Sequence, residues 1–301
     1  MTCVIIVTWN GKNQVTECLQ SIYSAKHDKD MHVFIVDNGS VDGTTNAVRK
    51  KFPQVTLIPL PKNLGFTGGN NVGIKQALRN GADYIWLLNN DTKIESNAFS
   101  ITGAFTYPRV GIAGSKIYFA PGYEYHLDNY TKNQQGKVLW YAGGLIDWDN
   151  MYSSHRGVDE IDHGQYNAIG KTEFITGCSM MISKEVFEKI GFFDERFYLY
   201  LEDVDFCLRA KQMGYKLLYV PQSIIWHNNA GSSAVGSQLH QYYMTRNRML
   251  LGFRYAPVRT KVALLREAMR SFVTGPSVVK HAIKDWFLGR YGKQYSDGTL
   301  R

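Results

Sequence analysis

Short apolar runs alternate with longer segments of helical periodicity through the first ninety residues of the chain. The runs at residues 4–7, 32–36, 55–60 and 84–88 predict strands, and apolar residues spaced three or four apart at 15–22 predict a helix. The last run is apolar throughout, which is typical of a strand buried on both faces. Strands and helices alternating at this spacing predict right-handed βαβ units, and therefore an α/β fold with a mostly parallel central sheet flanked by helices.

The pattern of predicted strands and helices continues after residue 90, with one interruption. Residues 110–119 and 171–182 predict further strands, and residues 184–190 predict a short helix. Residues 120–170 are rich in Tyr, Gly, Asn and Asp and have weak periodicity, which indicates an irregular insertion that could shape an acceptor pocket. Its aromatic residues, Trp140 among them, could stack on sugar rings or could serve only for packing.

Polar residues follow three of the predicted strands. Thr8 and Asn10 end the first, Asp37 and Asn38 end the second, and Asn89-Asn90-Asp91 ends the buried strand. The carboxyl ends of parallel strands meet at one edge of a sheet, where α/β proteins bind ligands. Three such tips indicate a nucleotide site, and the oxygen-rich third tip suits Mg²⁺ or Mn²⁺. Any one tip alone is equally explained by a turn that ends the strand.

Residues 63–71 predict a glycine-rich loop before a helix that carries Val72, Ile74, Ala77 and Leu78. The segment lacks both the dinucleotide-binding glycine pattern and the P-loop pattern. Its glycines would let the backbone approach a ligand closely, or would simply allow a tight connection.

Acidic residues cluster where a helix is predicted to start after a long aromatic run. Glu202 and Asp203 occupy that position and Asp205 follows. The helix dipole favours acids at a helix N-terminus, which accounts for one of them more easily than for all three. Farther on, His227 follows an apolar run, a placement that is usually structural, and the small polar residues 228–237 predict a mobile loop near a site.

Composition narrows the class of protein. The net charge of +8 lies in the tail, because residues 246–301 hold 12 Lys and Arg against three acids. Four scattered cysteines without a C-x-x-C pair argue against a disulfide framework or a zinc site and favour a cytosolic protein. No apolar run approaches the ~18 residues that cross a bilayer, and the first residues resemble a strand more than a signal peptide.

We expect two units: a catalytic domain at residues 1–238 and a helical, basic extension at 239–301. The extension could bind a membrane surface through a basic amphipathic helix that carries Trp286 and Phe287, or could be a helix pair packed on the catalytic domain. No nucleic-acid-binding module is apparent, so a nucleic-acid partner is not expected.

The motifs taken together resemble the inverting glycosyltransferases of family 2, which have the GT-A fold. The resemblance spans roughly residues 3–230. It rests on six short motifs, which are Val7-Thr8-Trp9-Asn10, Val36-Asp37-Asn38-Gly39-Ser40, Asn63-Leu64-Gly65-Phe66 with Gly68-Gly69-Asn70, Asn89-Asn90-Asp91, Glu202-Asp203 and Trp226-His227. The Asn-Leu-Gly-Phe-x-Gly-Gly-Asn form is most similar to the rhamnosyltransferase-like branch that builds bacterial surface polysaccharides.

The resemblance implies a role for each motif. Asp37 would accept a hydrogen bond from the pyrimidine ring of the donor, and Asp203 would be the general base. Glu202 would orient the acceptor or the loop. Asp91 would bind the metal, Mg²⁺ or Mn²⁺, with His227 completing its shell, although Asn89 stands where the family has a first acid. The remaining donor-binding positions would be Thr8, Asn10, Asn38, Gly65, Gly69, Asn70, Asn89 and Asn90.

The expected activity is therefore sugar transfer with inversion from a nucleotide diphosphate donor. L-rhamnose from dTDP-rhamnose is the first choice of donor and a UDP-sugar is the alternative. The acceptor would be a saccharide or a polyprenyl-linked saccharide, which would place the protein in the cytoplasm at the inner membrane face. Two alternative functions would also need a nucleotide site, namely those of a nucleotidyltransferase and of a non-catalytic sugar-nucleotide-binding protein.

Overall fold

The strands of the sheet follow the predicted order along the chain. The computed structural model describes residues 1–26, 30–228, 236–296 and 299–300, so most of segment 228–237 lies outside the described residues. The strands are β1 (Thr2–Thr8), β2 (Met31–Asp37), β3 (Thr56–Pro59), β4 (Tyr84–Leu88), β5 (Thr92–Ile94), β6 (Val110–Phe119), β7 (Leu139–Tyr141), β8 (Gly144–Asp147), β9 (Tyr152–His155), β10 (Gly170–Lys171), β11 (Ser179–Ser183), β12 (Lys216–His227), β13 (Tyr295–Ser296) and β14 (Thr299–Leu300). The α-helices are α1 (Lys12–Ser24), α2 (Thr44–Lys51), α3 (Gly65–Arg79), α4 (Lys184–Ile190), α5 (Glu202–Gln212), α6 (Gln238–Tyr255), α7 (Val258–Thr274) and α8 (Ser277–Phe287), and the 3₁₀ helices are Ala98–Thr106 and Leu127–Asn129.

The main sheet has the order β10-β12-β6-β11-β4-β1-β2-β3, with β5 and β7 added at its side. Strands β3, β2, β1 and β4 are mutually parallel, and β12 is parallel to β6. Strand β11 runs antiparallel between β4 and β6. The mostly parallel sheet is thus confirmed, and its parallel half brings the ends of β1, β2 and β4 to one edge.

Strand β4 is the buried centre predicted from its apolar run. Ile85, Trp86 and Leu87 are fully buried, and the indole of Trp86 donates a hydrogen bond of 3.0 Å to the hydroxyl of Ser179 on β11. That hydroxyl continues to Ser115 and then to Ser223 through two contacts of 2.8 Å. Each of these four buried side chains therefore has a hydrogen-bond partner, and the chain of contacts connects four neighbouring strands, β4, β11, β6 and β12.

The predicted glycine-rich loop is wrong, because α3 already begins at Gly65. Its glycines serve close packing between the helix and the sheet. A Cβ at Gly69 would lie 2.7 Å from Val7, and one at Gly73 would lie 2.6 Å from Ile5. Helix propensity disfavours glycine, but tertiary packing outweighs that preference here.

The single strand predicted at residues 171–182 is also wrong. It is divided into β10 and β11 by an irregular stretch at 172–178, four residues of which line the candidate site. The insertion at 120–170 has little regular structure, as predicted. It holds β7, on the edge of the main sheet, and the separate β8–β9 hairpin.

In the part of the basic extension that the structure describes there are three helices, of which α6 packs into the catalytic half of the chain. Tyr242, Arg246 and Asn247 of α6 are fully buried, so the packed alternative holds for this helix. Helix α6 begins at Gln238, close to the predicted domain boundary, which itself stays a prediction. Within the described ranges, no helix is both long enough and apolar enough to span a bilayer.

Candidate functional site

The polar ends of β1, β2 and β4 meet at one edge of the sheet. The side-chain amide of Asn90 donates to the hydroxyl of Thr8 at 3.0 Å, and the amide of Val41 donates to Oδ1 of Asn10 at 2.9 Å. The Asp37 carboxylate accepts from the Ser40 amide at 2.9 Å and from the hydroxyl of Thr45. The predicted convergence is present, and local turns supply hydrogen bonds to these groups.

Four other predicted donor-binding residues serve the framework. The Asn38 amide donates to Asn63 and to the Gly65 carbonyl, at 3.1 and 3.0 Å. Asn70 donates to the Phe66 carbonyl at 2.9 Å, one helical turn back. Gly65 and Gly69 face close neighbours within the fold. The donor-binding roles of these four residues therefore stay predictions.

A cavity of about 330 Å³ opens beside this edge. Asn89 and Asp91 line it from the end of β4, His227 from the end of β12, and Glu202 and Asp203 from the start of α5. The rest of its wall is largely aromatic or apolar and includes Phe66, Tyr125, Trp140, Phe174, Leu199, Tyr200, Leu201 and Met244. The predicted catalytic and metal-binding residues thus share one cavity.

Asp91 and His227 are brought together by the pairing of β5 with β12. His227 lies opposite Thr92 in the register, and the amide of Asn228 donates to the Asp91 carbonyl at 2.8 Å. Nε2 of His227 lies 3.1 Å from Oδ1 of Asp91. Burial disfavours the charged form of Asp91, but the imidazole outweighs it and the pKa of Asp91 lies below its ordinary value.

This pair fits part of a divalent-metal site. His227 is buried and the side chain of Asp91 is 13% exposed, and neither Oδ1 of Asp91 nor Nδ1 of His227 has a well-aligned hydrogen bond. A carboxylate oxygen and an imidazole nitrogen are suitable ligands for Mn²⁺. In the described part of the chain, no three His, Cys, Asp or Glu side chains are grouped to hold a metal, so further ligands would come from a substrate or water.

Asp203 and Glu202 lie side by side in different environments. Oδ2 of Asp203 accepts from the Gly177 amide at 2.9 Å, and Oδ1 accepts from the Val204 amide at 2.8 Å. Oε2 of Glu202 is buried without a partner. Burial raises the pKa of both groups, and the neighbouring Asp203 raises that of Glu202 further. The two amides favour ionised Asp203, so a proton shared by the pair resides preferentially on Glu202.

The third acid of the cluster is structural. Asp205 is fully buried and is paired with Arg209 at 2.9 Å and with Arg254 of α6. The hydroxyl of Tyr255 donates to it at 2.8 Å. The helix dipole alone did not explain three acids at this helix start, and this buried ion pair accounts for one of them.

The backbone just before Glu202 is strained. Tyr198, Tyr200 and Leu201 have φ values of 65°, 69° and 65°, in the left-handed region that residues other than glycine rarely adopt. Each such residue costs about 1–3 kcal/mol and persists only where the surroundings enforce it. The strained loop immediately precedes the two candidate catalytic acids.

Several cavity residues had no individual sequence signal. The ring of Trp140 is tilted against that of His227 and meets that of His155 edge-on, with ring centroids 4.6 and 4.3 Å apart. Burial lowers the pKa of His155 to about 4, so this imidazole is neutral at neutral pH. His240 and Met244 reach the cavity from α6. The aromatic content of the insertion hinted at Trp140, whereas nothing in the sequence marked the other three.

Comparisons with known proteins agree with this geometry. A family model described as "Glycosyltransferase like family 2" matches residues 2–290. The N-acetylglucosaminyl-diphospho-decaprenol L-rhamnosyltransferase of Mycobacterium tuberculosis is 25% identical over 244 residues, which cover 76% of each chain. The dTDP-rhamnosyl transferase RfbF of Shigella flexneri is 24% identical over 266 residues, covering 82% of this chain and 78% of that one.

Two solved structures share the fold at low identity. The mannosyltransferase PcManGT from Pyrobaculum calidifontis, in complex with GDP-Man and Mn²⁺, has a TM-score of 0.55 at 16% identity and covers 96% of this chain and 74% of its own. GalNAc-T7 with UDP, GalNAc and Mn²⁺ has a TM-score of 0.65 at 15% identity, covering 95% of this chain and 54% of its own. These matches confirm the predicted GT-A fold.

Proposed function

We propose that this chain, which belongs to glycosyltransferase family 2, transfers L-rhamnose with inversion from dTDP-rhamnose to a saccharide acceptor. The observation that carries this proposal is the shared cavity, in which Asp203 and the Asp91–His227 pair line the same space. A base and a site for a diphosphate are the two parts that an inverting transfer requires.

Asp203 is the general base of the proposed reaction. The acceptor hydroxyl attacks the anomeric carbon on the face opposite the nucleotide, its proton passes to the Asp203 carboxylate, and the nucleoside diphosphate leaves with the bonding electrons. Hydrogen bonds from the Gly177 and Val204 amides hold the carboxylate in place. Its raised pKa brings it closer to neutral pH, which favours proton transfer at physiological pH.

Asp91 and His227 would hold Mg²⁺ or Mn²⁺ when the donor binds. The ion would offset the negative charge that develops on the departing diphosphate. Asp91 is kept ionised by its low pKa, so its oxygen is ready to bind a cation without losing a proton first. Asn89, which also lines the cavity, has an amide oxygen in place of a carboxylate.

Support for the rhamnosyl donor comes from the names of two relatives. One is described as an L-rhamnosyltransferase and the other as a dTDP-rhamnosyl transferase. Thr8, Asn10 and Asp37, which end β1 and β2 next to the tip of β4, are the proposed contacts to the pyrimidine. A UDP-sugar, the alternative donor, would use the same contacts.

The acceptor is proposed to be a saccharide, free or polyprenyl-linked. Aromatic side chains on the cavity wall suit the apolar faces of sugar rings. The M. tuberculosis relative is named for a diphospho-decaprenol acceptor, which supports the lipid-linked form. Glu202 would orient the acceptor, because the proton that it retains can form a hydrogen bond to a sugar oxygen.

A membrane contact through α7 would bring the protein to a lipid-linked acceptor. The outer face of this helix carries exposed apolar residues beside a row of arginines, namely Val262, Met269, Val273, Arg259, Arg266 and Arg270. This arrangement suits an anionic membrane surface. Introducing Asp at Met269 and Val273 should reduce sedimentation with phosphatidylglycerol vesicles, whereas Val41→Asp, at another exposed apolar site, should not. Equal sedimentation of all three proteins would refute the contact.

The function is tested first by calorimetric titration with dTDP and UDP, each with and without Mn²⁺, and then by a transfer assay. The proposal expects Mn²⁺-dependent binding of dTDP over UDP, and release of dTDP from dTDP-rhamnose together with a glycosylated acceptor. Preference for UDP would change the donor and retain the reaction. Release of pyrophosphate would indicate a nucleotidyltransferase, and binding of neither nucleotide by folded protein would refute the donor site.

A further inference from the structure

Two adjacent polar side chains are buried deep in α6. Arg246 and Asn247 have no exposed surface, and Arg246 is among the largest fully buried side chains of the described residues. Burying a guanidinium and an amide is unfavourable unless their hydrogen bonds are made inside the protein. Their partners are therefore informative.

Five of the six hydrogen bonds that these two side chains donate beyond the pair go to one segment, and the sixth runs from Nη1 of Arg246 to the Gly292 carbonyl at 2.7 Å. The side-chain amide of Asn247 donates to the carbonyls of Phe197, Leu199 and Tyr200, at 3.0, 2.8 and 2.8 Å. Nη2 of Arg246 donates to the carbonyls of Arg196 and Phe197, both at 2.9 Å. The same guanidinium also donates to Oδ1 of Asn247, at 3.0 Å from Nε and 2.9 Å from Nη2, which turns the Asn247 amide nitrogen towards the loop.

The segment is held from its other side by α3. The carbonyl of Tyr198 accepts from the amides of Phe66 and Thr67, at 2.9 and 3.3 Å. All five consecutive carbonyls at positions 196–200 thus accept hydrogen bonds from α6 or α3. This stretch contains Tyr198 and Tyr200, two of the three left-handed residues of the loop, and it ends two residues before Glu202.

We propose that Arg246 and Asn247 are positioning residues, which hold the loop at 196–201 in its strained form and so place Asp203 in the cavity. This inference rests on the proposed function for its catalytic consequence. The helical extension then belongs to the catalytic machinery, because α6 supplies the donors that the left-handed backbone requires.

The decisive variant is Asn247→Leu, which removes the donors at nearly constant volume. We expect kcat to fall about 10²-fold, the cost of a misplaced catalytic group, with the KM for the donor and the affinity for dTDP unchanged. Arg246→Lys keeps the charge but loses the planar fork, so its kcat should lie between those of Asn247→Leu and the wild type.

Leu264→Ala is the control, because Leu264 packs from α7 against Gly252 of α6, where a Cβ would lie 2.3 Å from Leu264 Cδ1.

Hydrogen exchange provides a measurement that does not depend on enzyme activity. Amides of residues 197–204 should exchange faster in Asn247→Leu and stay protected in Leu264→Ala. Unchanged exchange in Asn247→Leu, or an equal loss of kcat in Leu264→Ala, would overturn the positioning role. A wild-type protein that transfers no sugar would overturn the proposed function instead, and the exchange result would then decide the positioning role alone.

Discussion

Two regions border the candidate site, and they are built in opposite ways. The tips of β1, β2 and β4 are short turns whose polar groups find partners on neighbouring strand ends, as when Asn90 binds Thr8. The loop at 196–201 has little regular structure and is held by helices far away in the chain, such as α6, about fifty residues later. The end of β4 thus lines the cavity from the side of the strand tips, and the strained loop lines it through Leu199, Tyr200 and Leu201.

The difference shows where precision in this site originates. At the strand tips, the sheet register already fixes the spacing, so local turns complete the geometry. The catalytic loop lacks a ladder, and its left-handed residues would relax without external donors. Replacing a tip residue should therefore weaken binding, whereas disturbing the loop should stop catalysis.

The largest expected effect is that of Asp203→Asn on the loop side. We expect kcat to fall about 10³-fold, because the amide cannot accept the acceptor proton, with dTDP affinity unchanged. Asp37→Asn is the matched change at the strand tips and should weaken dTDP binding while sparing kcat at saturating donor. Steady-state kinetics and calorimetry measure both variants. Transfer at the wild-type rate by Asp203→Asn would show that the loop side does not supply the general base.

Gly65 connects the two regions and provides the next test. It has a φ of +75°, and a Cβ there would lie 2.5 Å from the Tyr198 ring. Gly43 has a similar φ of +84° with nothing within 4 Å. We expect Gly65→Ala to lower the free energy of unfolding by about 2–4 kcal/mol and Gly43→Ala by about 1 kcal/mol, in urea denaturation. Equal losses would show that the Tyr198 contact contributes nothing.

The contrast between the strand tips and the loop at 196–201 also explains which features can be predicted from the sequence. The apolar run of β4 and the polar residues after β1, β2 and β4 were sufficient to predict the sheet and the edge where they meet, because strand order and period are local signals. The glycines of α3 were misassigned to a loop, since their role is close packing on Val7 and Ile5, which no local pattern reveals. The contacts of Asn247 with Leu199 and Tyr200 likewise join distant segments, and only the fold shows them.

Asp91→Asn tests the strand-tip wall through its proposed metal. We expect the Mn²⁺-dependent affinity for dTDP to fall about tenfold, or about 1.4 kcal/mol, because the variant loses the only carboxylate of the proposed pair. Binding measured without metal should not change. Asn89→Ala, next to it on the same wall, should have the smaller effect because it removes no charge. An undiminished Mn²⁺ response in Asp91→Asn would exclude this residue as a ligand.

The smallest expected effect concerns Glu202, which belongs to the strained wall but is proposed to carry no transferred proton. Its raised pKa means that the folded protein retains a proton that the unfolded chain releases. Stability from this group is therefore present at low pH and is lost as pH rises above about 4.5, the ordinary value, towards the folded-state pKa. The stability of Glu202→Gln relative to the wild type should consequently rise as the pH is raised from 5 to 8. Urea denaturation at both pH values measures this, with Glu188→Gln on the exposed face of α4 as the control for losing one charge. A difference between Glu202→Gln and wild type that stays constant with pH would show that the buried acid is already ionised in the folded protein, and Glu202 could then not donate a hydrogen bond to the acceptor.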